Sequence, residues 1–534
     1  MFSLLKGPYL QRSKKKFESF TIITLSIIFA LAFFTSNLRI KLGPIDDHEI
    51  VRFLGSDQRL WFWQIPNVLV EMTEVGEFTQ NARFRPTYYL FRLLETSAFG
   101  AHSSLWYLAR IAMVAAVCTF FALGLMKLFT FKNSIFRSLF LIWFLLSALS
   151  ISAWRDIISR LGPSEIYLVL GIAAFFYLSI LLVIDSVTYR RWILISITFV
   201  AIVGAKENGI FFLIPYLVLG LFVIVNTSQR KLRFTLIFCL STFLAATIVA
   251  GWLLGTINNQ GDIYGDARDP SAAITLMLHY ISDYLTGKPF AFSALVILLH
   301  LLVNKTNHLD LTRSFYFILI SNVIFVTIRA CEIVFYQGSF ANLRYAVVTQ
   351  LLTLTSYALI GILFANTIWN LKFANSVLKN LITLGAILGI GSILVNHSIK
   401  NTLDAYQAFN AVSNDYSLRN ENFQNELEEI TFELESGDFD ALVIQISAVW
   451  DYEPAYAFLQ YLEFGGQNLP TYLNVIDFPV SAGLEEDLLM ALKKFSTDGS
   501  QVWLVEPLNQ LGQSETVYCV TINGAARDVS LCDN

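Results

Sequence analysis

Long apolar segments are the feature of this 534-residue sequence that most restricts its fold. Runs of about 20 apolar residues recur through the first 400 positions, and a helix of about 20 residues crosses the roughly 30 Å hydrocarbon core of a bilayer. Hydrophobic residues make up 55% of the chain and charged residues only 15%, which leaves too little polar surface for a soluble fold. The sequence therefore predicts a polytopic α-helical membrane protein.

Eleven transmembrane helices are expected. The candidate spans are 20–38, 106–128, 135–153, 165–184, 192–205, 209–225, 233–255, 289–303, 313–331, 345–366 and 379–397. With eleven crossings the Lys- and Arg-rich loops lie on the side of the basic N-terminus, as the positive-inside rule requires of the cytoplasm. We therefore expect a multi-pass cell-membrane protein with a cytoplasmic N-terminus and an extracytoplasmic C-terminus. If 192–205 and 209–225 formed one span, the orientation of everything after them would reverse.

The charge distribution divides the chain into three parts: a cytoplasmic segment 1–19, a transmembrane domain 20–398 and an acidic extracytoplasmic domain 399–534. Residues 399–534 carry 5 basic and 22 acidic side chains, against 32 and 19 in the preceding residues. Nucleic acid and anionic lipid headgroups would repel such a segment, so neither is expected as its partner. Its sequence suggests a small α/β domain, with strands in 439–447, 501–507 and 515–523 and an amphipathic helix in 483–496.

Two outer loops are long, 39–105 and 256–288. In the first of them, "DQRLWFWQIPNVLVEMTEVG" and "RPTYYLFRLLETSAFG" repeat apolar and aromatic residues at helical spacing between polar ones. This pattern favours helices that lie along the membrane interface. Cys519 and Cys532 could pair if the tail is outside the cell, whereas both thiols would stay reduced in the cytoplasm.

A carboxylate cluster, Asp46-Asp47-His48-Glu49, follows the first span directly. A solvated loop is one interpretation, because charged residues often flank a span. The other is a general base or a cation site at the membrane face, since repulsion between adjacent carboxylates keeps one of them basic enough to accept a proton. A divalent metal bound by Asp46, Asp47 and Glu49 is a further alternative.

Cationic candidates occur in several outer segments. They are Arg83, Arg85 and Arg92 in "NARFRPTYYLFRLLE", Arg155 and Arg160 beside Asp156 in "SAWRDIISRLGPSE", Lys206 beside Glu207 in "VGAKENGIFFLIP", and Arg344 beside Tyr345 in "FYQGSFANLRYAVV". Guanidinium groups at the membrane surface suit a lipid phosphate, which they bind bidentately. The structural alternatives are interfacial anchoring, an Arg–Asp pair that satisfies itself, a tight turn, and a belt of aromatic and basic residues. All of these segments are expected on one face of the membrane.

Taken together, these segments resemble the glycosyltransferase C superfamily, integral membrane enzymes that use polyprenyl-phosphate sugars and that include the protein O-mannosyltransferases and the aminoarabinose transferase of lipid A. "IDDHE" matches the acidic pair of the first outer loop at Asp46 and Asp47. "RFRPTYY", "GAKENGIFFLIP" and "LRYAVV" are similar to further family segments. The resemblance covers roughly residues 20–365 and does not extend to the acidic tail.

The resemblance implies an inverting transfer of a sugar from a polyprenyl phosphate to an acceptor hydroxyl, without a cofactor. It implies Asp46 as the base, with Asp47 second. For the lipid phosphate it implies Arg344, Lys206 and Arg85 in that order, with Tyr345, Glu207 and Arg155 nearby. The acceptor is a glycan, a lipid or a protein. Two alternatives remain: a transporter or flippase for a lipid-linked glycan, and a glycan polymerase or ligase with the same fold.

Overall fold

The computed structural model describes residues 8–76, 78, 84–128, 134–185, 187–226, 231–258, 343–355, 358, 376–437, 439–446, 452–467, 469–475, 502–504, 517–523 and 528–531, and the single positions 275, 278, 279 and 282. The α-helices with defined ends are α1 (Pro8–Phe34), α2 (His48–Leu54), α3 (Ile65–Glu71), α4 (Pro86–Phe99), α5 (Ser103–Leu128), α6 (Ser134–Leu149), α7 (Trp154–Ser159), α8 (Glu165–Ile184), α9 (Tyr189–Ala205), α10 (Leu213–Asn226), α11 (Lys231–Asn258), α12 (Ser376–Ser436) and α13 (Tyr452–Phe464). Short 3-10 helices cover Thr35–Arg39, Phe62–Gln64, Glu207–Phe212 and Leu343–Ala346.

Five helical segments in the described ranges are long and apolar enough to cross a membrane. They are Glu18–Arg39, Ser103–Leu128, Glu165–Ile184, Glu207–Val225 and Lys231–Gly255, and each falls on an expected span. The helices α6 and α9 fall on two more but have only 16 and 17 residues. The expected spans 289–303 and 313–331 lie outside the described residues, as do 356–357 and 359–366 of the expected span 345–366. The protein is a multi-pass membrane protein, and the count of eleven spans stays a prediction.

The membrane helices pack around α5 and α8. Helix α5 contacts α1 and α8, and α9 contacts both α8 and α11. Trp106 in α5 and Trp192 in α9 are fully buried, and the Trp192 ring stacks on Tyr216 with their centroids 5.3 Å apart. Because lipid tails are as apolar as these side chains, close packing rather than water exclusion holds such helices together.

The first outer loop forms short helices against this bundle. Helix α4 begins at Pro86, whose fixed φ and missing N–H suit the first helical position. In the 3-10 helix and its flank, Phe62 and Trp63 are 68% and 69% exposed, and the Trp61 and Trp63 rings stack. Exposed aromatic side chains of this kind are typical of a membrane–water interface.

Helix α12 is continuous for 61 residues. At 1.5 Å per residue it extends about 90 Å if straight, roughly three times the thickness of the hydrocarbon core. The expected domain boundary at 398/399 therefore falls inside a helix. Beyond it, α12 packs on the first span: the rings of Phe34 and Phe409 are 4.7 Å apart, and Ser150 Oγ in the loop after α6 donates to or accepts from Thr402 Oγ1 at 2.9 Å.

A five-stranded sheet follows α12. Its strands are β1 (Ala441–Ile446), β2 (Thr471–Val475), β3 (Val502–Leu504), β4 (Val517–Asn523) and β5 (Asp528–Leu531), in the order β3-β2-β1-β4-β5. All neighbours are parallel except β4 and β5. The three segments expected as strands coincide with β1, β3 and β4, while the expected helix 483–496 lies outside the described residues. Cys519 in β4 is disulfide-bonded, and Cys532, its expected partner, is not among the described residues.

Candidate active site

The loop between α1 and α2 presents the two aspartates. Asp46 has a φ of 63°, in the left-handed region that aspartate adopts more readily than most residues. Its side chain packs directly on Gly162, where an added Cβ would lie 2.3 Å from both Asp46 Cβ and Asp46 Cγ. Only glycine at position 162 leaves room for this carboxylate.

The Asp46 carboxylate faces a cation. Its Oδ2 is 3.6 Å from Arg160 Nη1, and the side chain is 27% exposed. Among the described residues Oδ2 has no hydrogen-bond partner. The Asp46 backbone is fixed from the other side, because Arg92 Nη2 donates to its carbonyl oxygen at 3.1 Å.

Asp47, in contrast, is buried and held by the backbone. It is 2% exposed, and the Gly43 N–H donates to its Oδ2 at 2.9 Å. Burial raises the pKa of Asp47 to about 7, against the smaller opposing effects of the Gly43 N–H and the Arg92 charge. The two neighbouring carboxylates therefore have separate environments.

The rest of the acidic cluster also has separate partners. Tyr88 Oη donates to Glu49 Oε2 at 3.1 Å, and Arg92 Nε lies 3.9 Å from the same oxygen. His48 is buried, its ring meets Tyr456 edge-on at 5.5 Å, and burial lowers its pKa. Within the described part of the chain, no three His, Cys, Asp or Glu side chains form a group suited to a metal ion. The carboxylates of Asp46, Asp47 and Glu49 thus do not converge on one point.

Arg92 is a fully buried cation, with no exposed surface, so the interfacial-anchoring interpretation is wrong for this residue. Its Nη1 donates to the Leu161 carbonyl at 2.8 Å, and its guanidinium stacks on the Trp106 ring at 4.8 Å. Together with the bond to the Asp46 carbonyl, these contacts join two loops that are distant in sequence. Burial of a charge is costly unless it is paired and hydrogen-bonded, which Arg92 is.

An alternating series of charges leads away from Asp46. Arg160 Nε is 3.2 Å from Asp156 Oδ1, and Asp156 Oδ2 is 4.0 Å from Arg344 Nε. Arg344 Nε is also 3.9 Å from Glu165 Oε1, which forms a buried ion pair with Lys206 Nζ. We call this series the ionic chain; its members are Asp46, Arg160, Asp156, Arg344, Glu165 and Lys206. The expected Arg–Asp pair of "SAWRDIISRLGPSE" is thus Arg160–Asp156, and it is part of a larger network.

Helix termini position the last two members. Glu165 is the first residue of α8, where the positive end of the helix dipole favours a carboxylate. Lys206 follows the last residue of α9 with extended backbone (φ −162°, ψ 154°), so it leaves the helix where a cation is favoured. The adjacent Glu207 pairs with Arg85, with 2.6 Å between Arg85 Nη2 and Glu207 Oε1. The connection between α9 and α10 therefore supplies one buried ion pair, Lys206–Glu165, and one partly buried pair, Arg85–Glu207.

Two further candidates have a looser connection to this group. Tyr345 belongs to the 3-10 helix that carries Arg344. Arg155 is half-buried in α7, and within the described ranges it forms no ion pair with the site carboxylates. Arg83 lies outside the described residues.

A second buried arginine was absent from the sequence prediction. Arg110 in α5 is 1% exposed and donates through Nη2 to the Leu161 carbonyl, the Tyr167 hydroxyl and Glu95. Tyr167 in turn donates to Glu95 Oε2 at 2.5 Å. The Leu161 carbonyl thus accepts from two buried arginines, which holds Gly162 against Asp46. The signal was available, because an ionisable residue within an apolar span is usually functional.

Comparisons with known proteins find structural similarity but no sequence match. No family model matches the chain, and no curated protein sequence matches it. Among solved structures the chain is similar to ArnT from Cupriavidus metallidurans, in a crystal structure with undecaprenyl phosphate bound. The similarity covers 93% of this chain and 92% of the ArnT chain, with 12% sequence identity and a TM-score of 0.47.

Proposed function

We propose that the protein is a membrane glycosyltransferase that moves a sugar from a polyprenyl phosphate to an acceptor hydroxyl at the extracytoplasmic face. The observation that carries the proposal is the ionic chain, which links the partly exposed carboxylate of Asp46 to the cations Arg344 and Lys206. A base and an anion-binding group at opposite ends of one polar cluster are what such a transfer requires. The sequence resemblance of "IDDHE", "GAKEN" and "LRYAVV" supports the same assignment.

In the proposed reaction Asp46 accepts the proton of the acceptor hydroxyl. The acceptor oxygen forms a bond to the anomeric carbon as the bond from that carbon to the phosphate oxygen breaks, with inversion at carbon. The electron pair of the broken bond leaves on the polyprenyl phosphate. No general acid is needed, since a phosphate is a good leaving group at neutral pH, but its growing negative charge must be stabilised.

Asp46 suits the role of base better than Asp47. The Asp46 side chain is 27% exposed, so an acceptor hydroxyl can approach the open part of it. Asp47 is 2% exposed and one of its oxygens already accepts from Gly43. Asp47 therefore supports the loop, and Asp46 performs the chemistry.

Arg344 is the first candidate for the donor phosphate. Asp156 and Glu165 lie 4.0 and 3.9 Å from its Nε, and its side chain is 22% exposed. A phosphate that reaches this guanidinium could bind it bidentately. Lys206, which is only 3% exposed, and Arg85, which is paired with Glu207, come second and third.

The tail supports the assignment of the outer face. Cys519 is disulfide-bonded, and disulfides persist in oxidising compartments outside the cytoplasm. Helices α12 and α13 contact the loop of Asp46 and Asp47, so the tail and the proposed site lie on the same side of the membrane.

The test is a transfer assay in proteoliposomes with a radiolabelled polyprenyl-phosphate sugar and a panel of hydroxyl acceptors. Asp46→Asn is expected to reduce label transfer by at least roughly 100-fold, because it removes the proton acceptor. Asp57→Asn, which alters an exposed carboxylate of the same outer loop, is the matched control and should retain wild-type activity.

The same assay separates the alternatives. A flippase would move the labelled lipid between leaflets and leave the sugar attached to it, whereas a polymerase or ligase would transfer a whole lipid-linked glycan rather than the single labelled sugar. Wild-type transfer by Asp46→Asn would remove Asp46 from the proposed role.

A further inference from the structure

The acidic tail forms hydrogen bonds with the backbone of the loop that carries the two aspartates. Asn420 Nδ2 donates to the Lys41 carbonyl at 2.7 Å, and Gln424 Nε2 donates to the Leu42 carbonyl at 2.8 Å. Tyr461 Oη donates to the Gly43 carbonyl at 3.0 Å. Three consecutive backbone carbonyls of the loop thus each accept one side-chain hydrogen bond from α12 or α13.

We propose that Asn420, Gln424 and Tyr461 are positioning residues that fix the loop of Asp46 and Asp47 for catalysis. We call these three residues the tail clamp. The proposal rests on the proposed function for its catalytic consequence, but the physical claim, that the tail orders this loop, stands on the contacts themselves.

Gly43 connects the tail to the acidic pair through its two backbone hydrogen bonds. Its carbonyl accepts from Tyr461, and its N–H donates to Asp47 Oδ2 at 2.9 Å. The peptide groups on both sides of Gly43 are therefore tied, one to the tail and one to the acidic pair. Because backbone groups buried away from water need partners, loss of the clamp leaves these carbonyls to find new ones by moving the loop.

Steric fit acts together with these bonds. A Cβ added at Gly43 would lie 2.2 Å from Asn420 Oδ1 and 2.4 Å from Asn420 Cγ, so α12 approaches the loop as closely as glycine permits. Asn420 is 6% exposed and Tyr461 is 6% exposed, which keeps water from competing for the bonds.

Helix α13 also contacts α2, outside the tail clamp. Arg52 Nη1 donates to Tyr456 Oη at 3.4 Å, and the ring of His48 meets that of Tyr456. The helix α2 starts directly after Asp47, so α13 also fixes the C-terminal end of the acidic loop. The loop is bounded by tail contacts on both sides.

The experiment uses the full-length protein and four variants: Asn420→Ala, Gln424→Ala, Tyr461→Phe and the triple variant. Hydrogen exchange of the peptide that contains Gly43 reports the order of the loop, and the transfer assay gives kcat and KM. We expect exchange to become faster by roughly tenfold in the single variants, and kcat to fall by roughly 10- to 100-fold with KM changed less than about twofold. A merely structural role would lower the amount of folded protein without this split.

Matched controls come from the same helix. Asn422→Ala changes an exposed asparagine two positions from Asn420, and Tyr406→Phe removes a hydroxyl while keeping the ring contact with Phe33. Neither should alter exchange or kcat. In the wild-type background, Gly43→Ala should speed hydrogen exchange of the loop and lower kcat. Both changes should be smaller in the Asn420→Ala background, since Asn420 is the side chain that the new methyl group meets.

The outcomes separate the two proposals. Wild-type exchange and wild-type kcat in the triple variant would overturn the clamp. A wild-type protein without transferase activity would overturn the proposed function, and the exchange of Gly43 would still decide whether the tail orders the loop.

Discussion

Asp46 and Asp47 are neighbours in the chain, yet each carboxylate has its own local environment and therefore different chemistry. Asp46 uses a left-handed backbone and the space over Gly162 to reach Arg160. Asp47 is enclosed and hydrogen-bonded to the backbone, and its pKa is raised to about 7. The sequence predicts the acidic pair but not this division, because Arg160 and Gly162, which contact Asp46, lie more than 100 residues away, and the burial of Asp47 depends on tertiary packing.

The raised pKa of Asp47 gives the first prediction. Its unfolded value is 3.8, so between about pH 4 and pH 7 the folded protein binds more protons than the unfolded chain. Stability from this group is complete below the unfolded pKa and is lost as pH rises to about 7. Asp47→Asn stays neutral and keeps an oxygen for the Gly43 N–H. We therefore expect its melting temperature to exceed that of the wild type by more at pH 8 than at pH 5.

The difference should correspond to no more than about 4 kcal/mol, at 1.36 kcal/mol per pKa unit. Thermal unfolding in detergent at several pH values measures it, with Asp57→Asn as the exposed control. Parallel pH profiles for the wild type and Asp47→Asn would contradict the prediction.

At the scale of elements, the connection between α9 and α10 is linked by ion pairs to α8 and to the start of α4. Lys206 pairs with Glu165 at the start of α8, and Glu207 pairs with Arg85 at the N-terminus of α4. Two adjacent residues of opposite charge thus fix the first outer loop against the bundle. A simple tight turn, the structural alternative for this segment, would not need either partner.

We expect Glu207→Gln to destabilise the protein by about 2 kcal/mol, because the pair is partly buried and the change leaves the Arg85 charge without its close carboxylate. The double variant Arg85→Gln/Glu207→Gln should recover part of that loss, since neither charge then remains. Thermal unfolding of the two single variants and the double variant measures the coupling.

A surface pair is the control for this cycle. Lys127 and Asp185 are 2.7 Å apart, but their side chains are 32% and 31% exposed. Asp185→Asn should cost less than about 1 kcal/mol. Equal losses at Glu207 and Asp185 would show that burial does not strengthen the Arg85–Glu207 pair.

Helices and strands could be predicted from the sequence where a single local pattern determines them. Apolar length identified the helices at 20–38, 106–128 and 165–184, and Pro86 marked the start of α4. Three strands of the tail were also recognisable from short apolar runs. The continuity of α12 across position 399 was not, because the sequence changes there from apolar to acidic without a helix-breaking residue. The pairing of Asn420 with Lys41 is a contact over 379 positions, which no local pattern encodes.

For the whole molecule, the tail and the membrane domain are one structural unit. Helix α12 packs on α1 through Phe409, contacts the acidic loop through Asn420 and Gln424, and reaches the sheet, where Tyr518 donates to Glu433. The change in composition predicted a domain boundary at 398/399, and these contacts join the residues on its two sides.

The disulfide of Cys519 gives a prediction at this scale. We expect Cys519→Ser to lower stability by about 2–4 kcal/mol, because the crosslink restricts the unfolded tail. A reductant should lower the melting temperature of the wild type and leave that of Cys519→Ser unchanged. Cys239→Ser, which replaces an exposed free thiol, is the control. Equal sensitivity of wild type and Cys519→Ser to the reductant would contradict the prediction.

The length of α12 has a consequence for control from outside. Since the expected span 379–397 and the contacts to the acidic loop belong to this one helix, a force on its far end reaches the loop. An antibody or a soluble protein that binds this end and tilts the helix would break the hydrogen bonds of Asn420 and Gln424 to the loop carbonyls. On the proposed function, such a binder would lower transfer without touching Asp46.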